Sequence, residues 1–413
     1  MKKFFVIILL IVTSVIQAGG GSVYTRFGLG DLHHSYLAPR FGMGGGGVSL
    51  SESNYLSAIN PASWYRLNMT RFETGVGFSL TGAADNSNTS DYSQSLFSGF
   101  LFGFPIQKDL GISFVCGIVP FSDVKYEVFD NSFNAALGED IKTTFGGSGS
   151  LSKVFFGTSS KLPLDFVIGA SFEYYTGKIE YSTSVEFGDD SKYRDLTFSK
   201  SKNYGGMGGT FGLISSDLST LFGWDKLTDF RIGSSLSFTG KFDTDTSEVS
   251  ETVLGSSTFS SGVAQTEIPY KLSLGTSFFF DKDFLVTIDY TMQPWSEFKY
   301  QNVSSNQLRD FTRVSAGVEY KNKNERLNTF WEQVALRGGF SYEQTQYLIN
   351  GKGIDQMALH LGCSLPMSQT STIDIGFMAG IRGTKENDLL KETFIKTMVS
   401  INFGDLWFVR PDR

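Results

Sequence analysis

The chain has 413 residues, with 35 Lys and Arg against 42 Asp and Glu, a formal net charge of -7 and a pI near 5.2. That balance carries no basic footprint and excludes nucleic acid as a partner. It holds 39 Phe, 17 Tyr and 46 Gly but 9 Pro; glycine is about 11% of the chain against a usual ~7%, and the mean hydropathy of -0.08 hides an alternating pattern.

In chain order, residues 1–18 begin with Lys2 and Lys3, continue with an apolar run from Phe4 to Val12, and end on Ser14, Gln17 and Ala18. This reads as a cleaved secretory signal, too short to span a membrane as a helix. Cleavage after Ala18 is expected to leave Gly19 at the mature terminus, with no cysteine to accept a lipid.

Phe41 to Trp64 reads as neither strand nor helix. Gly44, Gly45, Gly46 and Gly47 interrupt any period of 2 or 3.6, and they permit positive φ and close backbone approach. Asn60, Pro61 and Ala62 then make a sharp turn before the strands begin. A phosphate-cradling loop would need a preceding strand and a following helix with Lys and Ser or Thr, and the pattern has neither.

From Phe72 onward the chain alternates. Phe72, Thr74, Val76, Phe78 and Leu80 share one face; Arg71, Glu73, Gly75, Gly77 and Ser79 share the other. The pattern returns at 100–104, 114–118, 166–174, 230–238, 268–274, 284–290, 314–320, 334–340, 373–379 and 395–403, with weaker stretches at 141–157, 192–213 and 354–366. This predicts an all-β, transmembrane antiparallel β-barrel of about 14 strands. Short links such as 105–110, 161–164 and 280–284 are expected to be periplasmic turns, and the polar stretches 123–142 and 243–265 long outer loops. A soluble β-sandwich, the alternative, does not need so many outward aromatics.

Pro120 lies at the end of the strand-like run from Phe114 through Gly117 to Val119. Either the strand ends at Val119 and Pro120 opens a loop, or the strand continues and the missing donor marks a bulge.

By alternation Asp289, Arg313, Arg337, Glu343, Asp374 and Arg382 face the lumen with Arg71, Glu73, Glu173 and Glu319. They either pair with one another in a polar wall or meet Arg26, Asp31, Arg40 or Glu52 of the N-terminal segment. Catalysis is not expected: His33, His34 and His360 are the only histidines, His360 reads as a lone lumen residue, and no spacing suits a metal. Cys116 and Cys363 fall on distant strands, both facing lipid, so no disulfide is expected between them. No cofactor is expected.

These stretches together resemble the FadL-type family of outer-membrane transporters for hydrophobic compounds (the OMPP1/FadL/TodX-like group), in a form similar to Bacteroidetes members. The resemblance rests on Gly42 and Gly44–Gly47 followed by Asn60-Pro61-Ala62, on Asp289-Tyr290 with Trp295-Ser296, on the strand Leu336–Glu343, and on the closing Trp407-Phe408. Ser51-Glu52-Ser53 stands where the family often has an acidic pair, and the chain ends in Pro411-Asp412-Arg413 where many barrels end in an aromatic. The resemblance implies an N-terminal luminal hatch at 19–66, gated around Gly44–Gly47 and Asn60-Pro61-Ala62, a barrel at 67–404 and a tail at 405–413. It also implies lateral release of cargo such as long-chain fatty acids near Gly117 and Pro120. Expected partners are the hydrophobic cargo, outer-membrane lipid or lipopolysaccharide, and the barrel-assembly machinery. The alternative is a structural barrel, or one serving protein secretion of the type IX kind with its secretion partners.

Overall fold

The computed structural model describes residues 21–407 apart from 136, 189–190, 224–225, 253–254 and 323–328. Residues 1–18, read above as an export signal, and Phe408 and the final Pro411-Asp412-Arg413 lie outside the described residues. Strands β1 (Thr70–Ala84), β2 (Thr89–Gln107), β3 (Ile112–Asn134), β4 (Glu139–Lys161), β5 (Val167–Phe187) and β6 (Leu196–Ile214) follow one another as antiparallel neighbours. After β7 (Leu227–Thr239) comes a hairpin of β8 (Lys241–Thr252) and β9 (Gly255–Glu267). The wall resumes with β10 (Lys271–Phe280), β11 (Phe284–Gln293), β12 (Phe311–Tyr320), β13 (Ala335–Ile349), β14 (Lys352–Pro366), β15 (Thr372–Gly383) and β16 (Lys391–Asp405).

β16 pairs with β1 from Asp405 opposite Thr70 to Lys391 opposite Ala84, so the sheet closes on itself. β10 pairs directly with β7 and the hairpin stands outside the ring, leaving a closed barrel of 14 strands. Closure satisfies backbone donors and acceptors without water, the condition for crossing hydrocarbon.

The two faces are inverted relative to a soluble protein. Outward positions carry Leu80, Phe172, Tyr174, Ile288, Tyr290, Val318 and Leu361, all more than a third exposed. Inward positions carry buried Arg71, Glu73, Glu173, Arg313, Glu319 and Asp374. An apolar exterior of this extent is tolerated only against lipid, which disposes of the soluble sandwich.

β3 and β4 have 23 residues each, β5 has 21 and β6 has 19, whereas crossing the hydrocarbon takes ~9–11. On β5 the outward face changes from Phe172 and Tyr174 to Thr176, Lys178 and Glu180, so the strand leaves the apolar belt there. The stretches expected as long loops, 123–142 and 243–265, are paired strand over most of their length. Beyond the lipid the outward face is polar and the apolar period against lipid ends, while ladder bonds and inward residues such as Tyr126, Ile179, Tyr204 and Phe242, packed in one buried cluster, hold the strands. This projecting sheet and the hairpin form the wide end, and turns such as Lys108–Gly111 form the other.

A closed ladder resists unfolding in detergent, so unboiled protein is expected to run at a different apparent mass from boiled protein on a denaturing gel. Co-migration of the two samples with a helical circular-dichroism spectrum would rule the barrel out.

Candidate functional site

Residues 21–66 contribute no wall strand; their side chains and backbone meet inward-facing groups around the ring. The glycine run is held from two sides. Gly44, Gly45 and Gly47 have φ of 78°, 72° and 113°, and these left-handed turns aim successive amides one way. Asp289 accepts the Gly47 amide at 2.7 Å and the Val48 amide at 2.9 Å. Arg313 donates to the carbonyls of Gly44 and Gly45, and its Nε to Glu343 at 2.7 Å. Gln356 donates to the other oxygen of Glu343 at 3.2 Å.

Asn60 caps the short 3-10 helix Pro61–Arg66 by accepting the Ala62 amide at 2.9 Å, and its Nδ2 donates to Val48 at 2.7 Å and Ser234 at 3.2 Å. The barrel makes room for this. A Cβ on Gly212 would overlap Asn60 Oδ1, one on Gly317 would overlap the Met43 carbonyl, and one on Gly169 would overlap Pro61. Inward glycines of the wall are thus sockets for the segment, a role not read from alternation alone.

The two alternatives posed for the luminal charges are both realised. Arg337 pairs with Glu319 at 2.6 Å and lies 3.7 Å from Asp374, while Tyr55 of the segment donates to Asp374 at 3.0 Å. Arg382 pairs with Glu392 at 2.6 Å and with Asp31 of the segment at 2.8 Å. Arg40 pairs with Glu52 at 2.7 Å inside the segment, and Glu73 accepts the Leu56 amide at 2.6 Å. Glu392, Tyr55 and Asp123 were missed by the sequence reading. Glu392 was legible: it shares parity with Ser400 and Asn402, opposite the outward run Ile395–Phe403.

Pro120 lies inside β3, which continues to Asn134, so the reading in which the strand ends at Val119 does not hold. Pro120 faces Ser152 of β4 and the next partners are Ser122 and Leu151, which leaves Phe121 in a bulge. The bulge switches parity: Val115 and Val119 point inward below it, and Ser122, Val124 and Tyr126 above it. A second bulge at Ser98 does the same to β2. Between β2 and β3 the ladder stops at Phe100 opposite Ile118, one residue beyond Gly117 opposite Leu101. Above that level, among the described residues, Asp31 and Leu32 pair with Asp123 and Ser122 in place of β2. Gln94 of β2 and His33 each reach Asp123 at 2.8 Å. The seam is bridged by these contacts. A cavity of about 120 Å³ borders it, lined by Gln94 and Leu96 on one lip and Asp123 on the other.

His360 is enclosed, with its two ring nitrogens 2.7 Å from the Phe41 carbonyl and 2.9 Å from Ser341 Oγ, which accounts for it structurally. His34 stacks on Phe311 at 4.7 Å; burial, then Arg313, holds its pKa well below the ordinary value, so it stays neutral. Cys116 and Cys363 are both free.

A family model described as BamG matches residues 1–412. The chain belongs to the BamG family. No curated protein matches it. Solved structures share the fold at low identity. The Ralstonia pickettii toluene transporter TbuX has a TM-score of 0.61 and 16% identity, covering 90% of this chain and 98% of its own. A Pseudomonas aeruginosa FadL homologue has 0.63 and 11%, covering 90% and 98%. The P. putida toluene transporter TodX has 0.57 and 17%, covering 92% and 100%. The resemblance drawn from the motifs therefore holds at the level of fold, while the family matched is BamG.

Proposed function

We propose that this chain is an outer-membrane barrel that passes hydrophobic small molecules, such as long-chain fatty acids, and releases them sideways through the seam between β2 and β3. The observation that carries this is the internal cavity bordered by both lips of a seam whose ladder stops at Phe100 and Ile118. Residues 19–66 act as the hatch. Gly44–Gly47 and Asn60-Pro61-Ala62 are its hinge points, and Asp289, Arg313, Arg337, Glu343, Asp374 and Arg382 hold it in place. Gly117 and Pro120 form the base of the exit. By the usual arrangement of such barrels the short turns are periplasmic and the wide end faces out.

Proteoliposomes loaded with the protein are expected to take up labelled oleate and toluene faster than empty liposomes. Pro120→Val, which restores a ladder donor and a strand former, should lower that uptake while the unboiled mobility stays normal. Unchanged uptake in the variant would remove the exit from this position, and wild-type uptake no faster than empty liposomes would remove passage altogether.

Membership of the BamG family favours a second reading, an accessory barrel of the barrel-assembly machinery. Affinity purification from the native membrane separates the two: stoichiometric recovery of a barrel-assembly core supports association, and recovery of the chain alone opposes it.

A further inference from the structure

At the wide end, on the inward side of the projecting sheet, a cleft of about 420 Å³ lies above the N-terminal segment. Among the described residues three cations, Arg26, Lys200 and Lys202, line it and no carboxylate does, in a chain of net charge -7. Lys200 is spent on Glu248 at 2.6 Å. Arg26 and Lys202 have no carboxylate partner among the described residues. The Lys202 ammonium sits 3.9 Å from the centre of the Tyr300 ring and 5.7 Å from that of Tyr181. A flexible lysine free to reach water would normally extend its head there; this one is drawn back onto aromatic faces. Tyr300 is fixed in turn by a 3.1 Å hydrogen bond to Thr246.

The rest of the lining narrows the ligand. Thr183 and Gln307 add a hydroxyl and an amide to the lining. An aliphatic ligand would leave those polar groups and the ammonium unpaired. A bare inorganic anion would leave the rings uncovered. A sugar ring satisfies both, since its C–H face packs on an aromatic plane and its hydroxyls pair with side chains. The volume falls in the lower part of the ~300–1,000 Å³ range of small-molecule pockets.

We propose that this cleft binds an anionic saccharide, a sugar ring bearing phosphate or carboxylate, with Lys202 and Arg26 on the anion and Tyr300 and Tyr181 on the ring. The source is either a glycolipid headgroup or a free sugar acid, because the cleft lies beyond the apolar belt. The site stands whether or not the barrel passes hydrophobic cargo.

Calorimetry on the full chain in detergent tests it with glucose 6-phosphate, glucose, inorganic phosphate and octanoate. Glucose 6-phosphate is expected to bind at least about tenfold more tightly than the other three, and Lys202→Gln to weaken it about tenfold, with Lys200→Gln changing it under ~threefold because its charge is already paired. Nanodiscs with and without monophosphoryl lipid A separate the sources. Binding of lipid A alone, lost in Lys202→Gln, assigns the headgroup; binding of glucose 6-phosphate assigns the soluble form. No binding of either probe, equal binding of inorganic phosphate, or affinity unchanged in Lys202→Gln would overturn the proposal. Unboiled gel mobility reports whether each variant is folded.

Discussion

Deleting residues 20–63 is expected to turn a poorly conducting protein into an open pore. Small barrels of about eight strands are filled by their own inward side chains, and those of 16–18 leave an aqueous channel. A ring of 14 strands lies between them, and here residues 21–66 fill the centre with Leu29, Met43, Leu50, Leu56 and Trp64, all buried. Without the segment, Asp289 loses two amide donors and Arg382 loses Asp31, but both then face water and are solvated at little cost. The wall ladder does not depend on the segment except at the seam. Single-channel conductance in a planar bilayer should rise roughly tenfold or more. Equal conductance with and without the segment would mean that the projecting sheet or the hairpin closes the pore, and the hatch role would be abandoned.

The largest stability loss is expected from Arg337→Met. The guanidinium neutralises Glu319 at 2.6 Å, donates to Ser364 at 2.5 Å, and stands 3.7 Å from Asp374. Glu319 and Asp374 are 5% and 1% exposed, so removing the cation strands two enclosed carboxylates. Breaking a buried pair by deleting one partner costs about 3–5 kcal/mol. A lower urea midpoint for conversion of the folded gel species, followed in parallel with tryptophan fluorescence, should report it. Adding Glu319→Gln to Arg337→Met should recover part of the loss, since the charge left behind is the main cost. A single-variant loss below about 1 kcal/mol, or a double variant worse than the single, would show that water reaches the site.

How far this could be read in advance differs by region. In the belt, Phe72–Leu80 and Ile373–Ala379 carry a period of two against lipid, and both register and facing follow from it. In the projecting sheet, Lys142–Gly149 and Asp243–Thr246 have no apolar face, so strands looked like loops. Asp289, Arg313, Arg337, Glu343, Asp374 and Arg382 are buried, but parity does not name partners: Arg382 meets Asp31 from 351 positions away in the chain. Around the seam parity itself fails, because bulges at Ser98 and Phe121 move the inward set by one residue.

Alternation in the amino-acid sequence by itself determined the all-β wall, the approximate strand number and which side chains face lipid, because a membrane imposes one repeated local demand on every strand. Only the tertiary structure decided which glycines are sockets, which charges pair across the lumen, and that the ladder between β2 and β3 stops at Phe100 and Ile118. Those features arise where a segment without a period packs against inward faces far away in the chain, and no local pattern encodes contacts between groups that only closure of the barrel brings together.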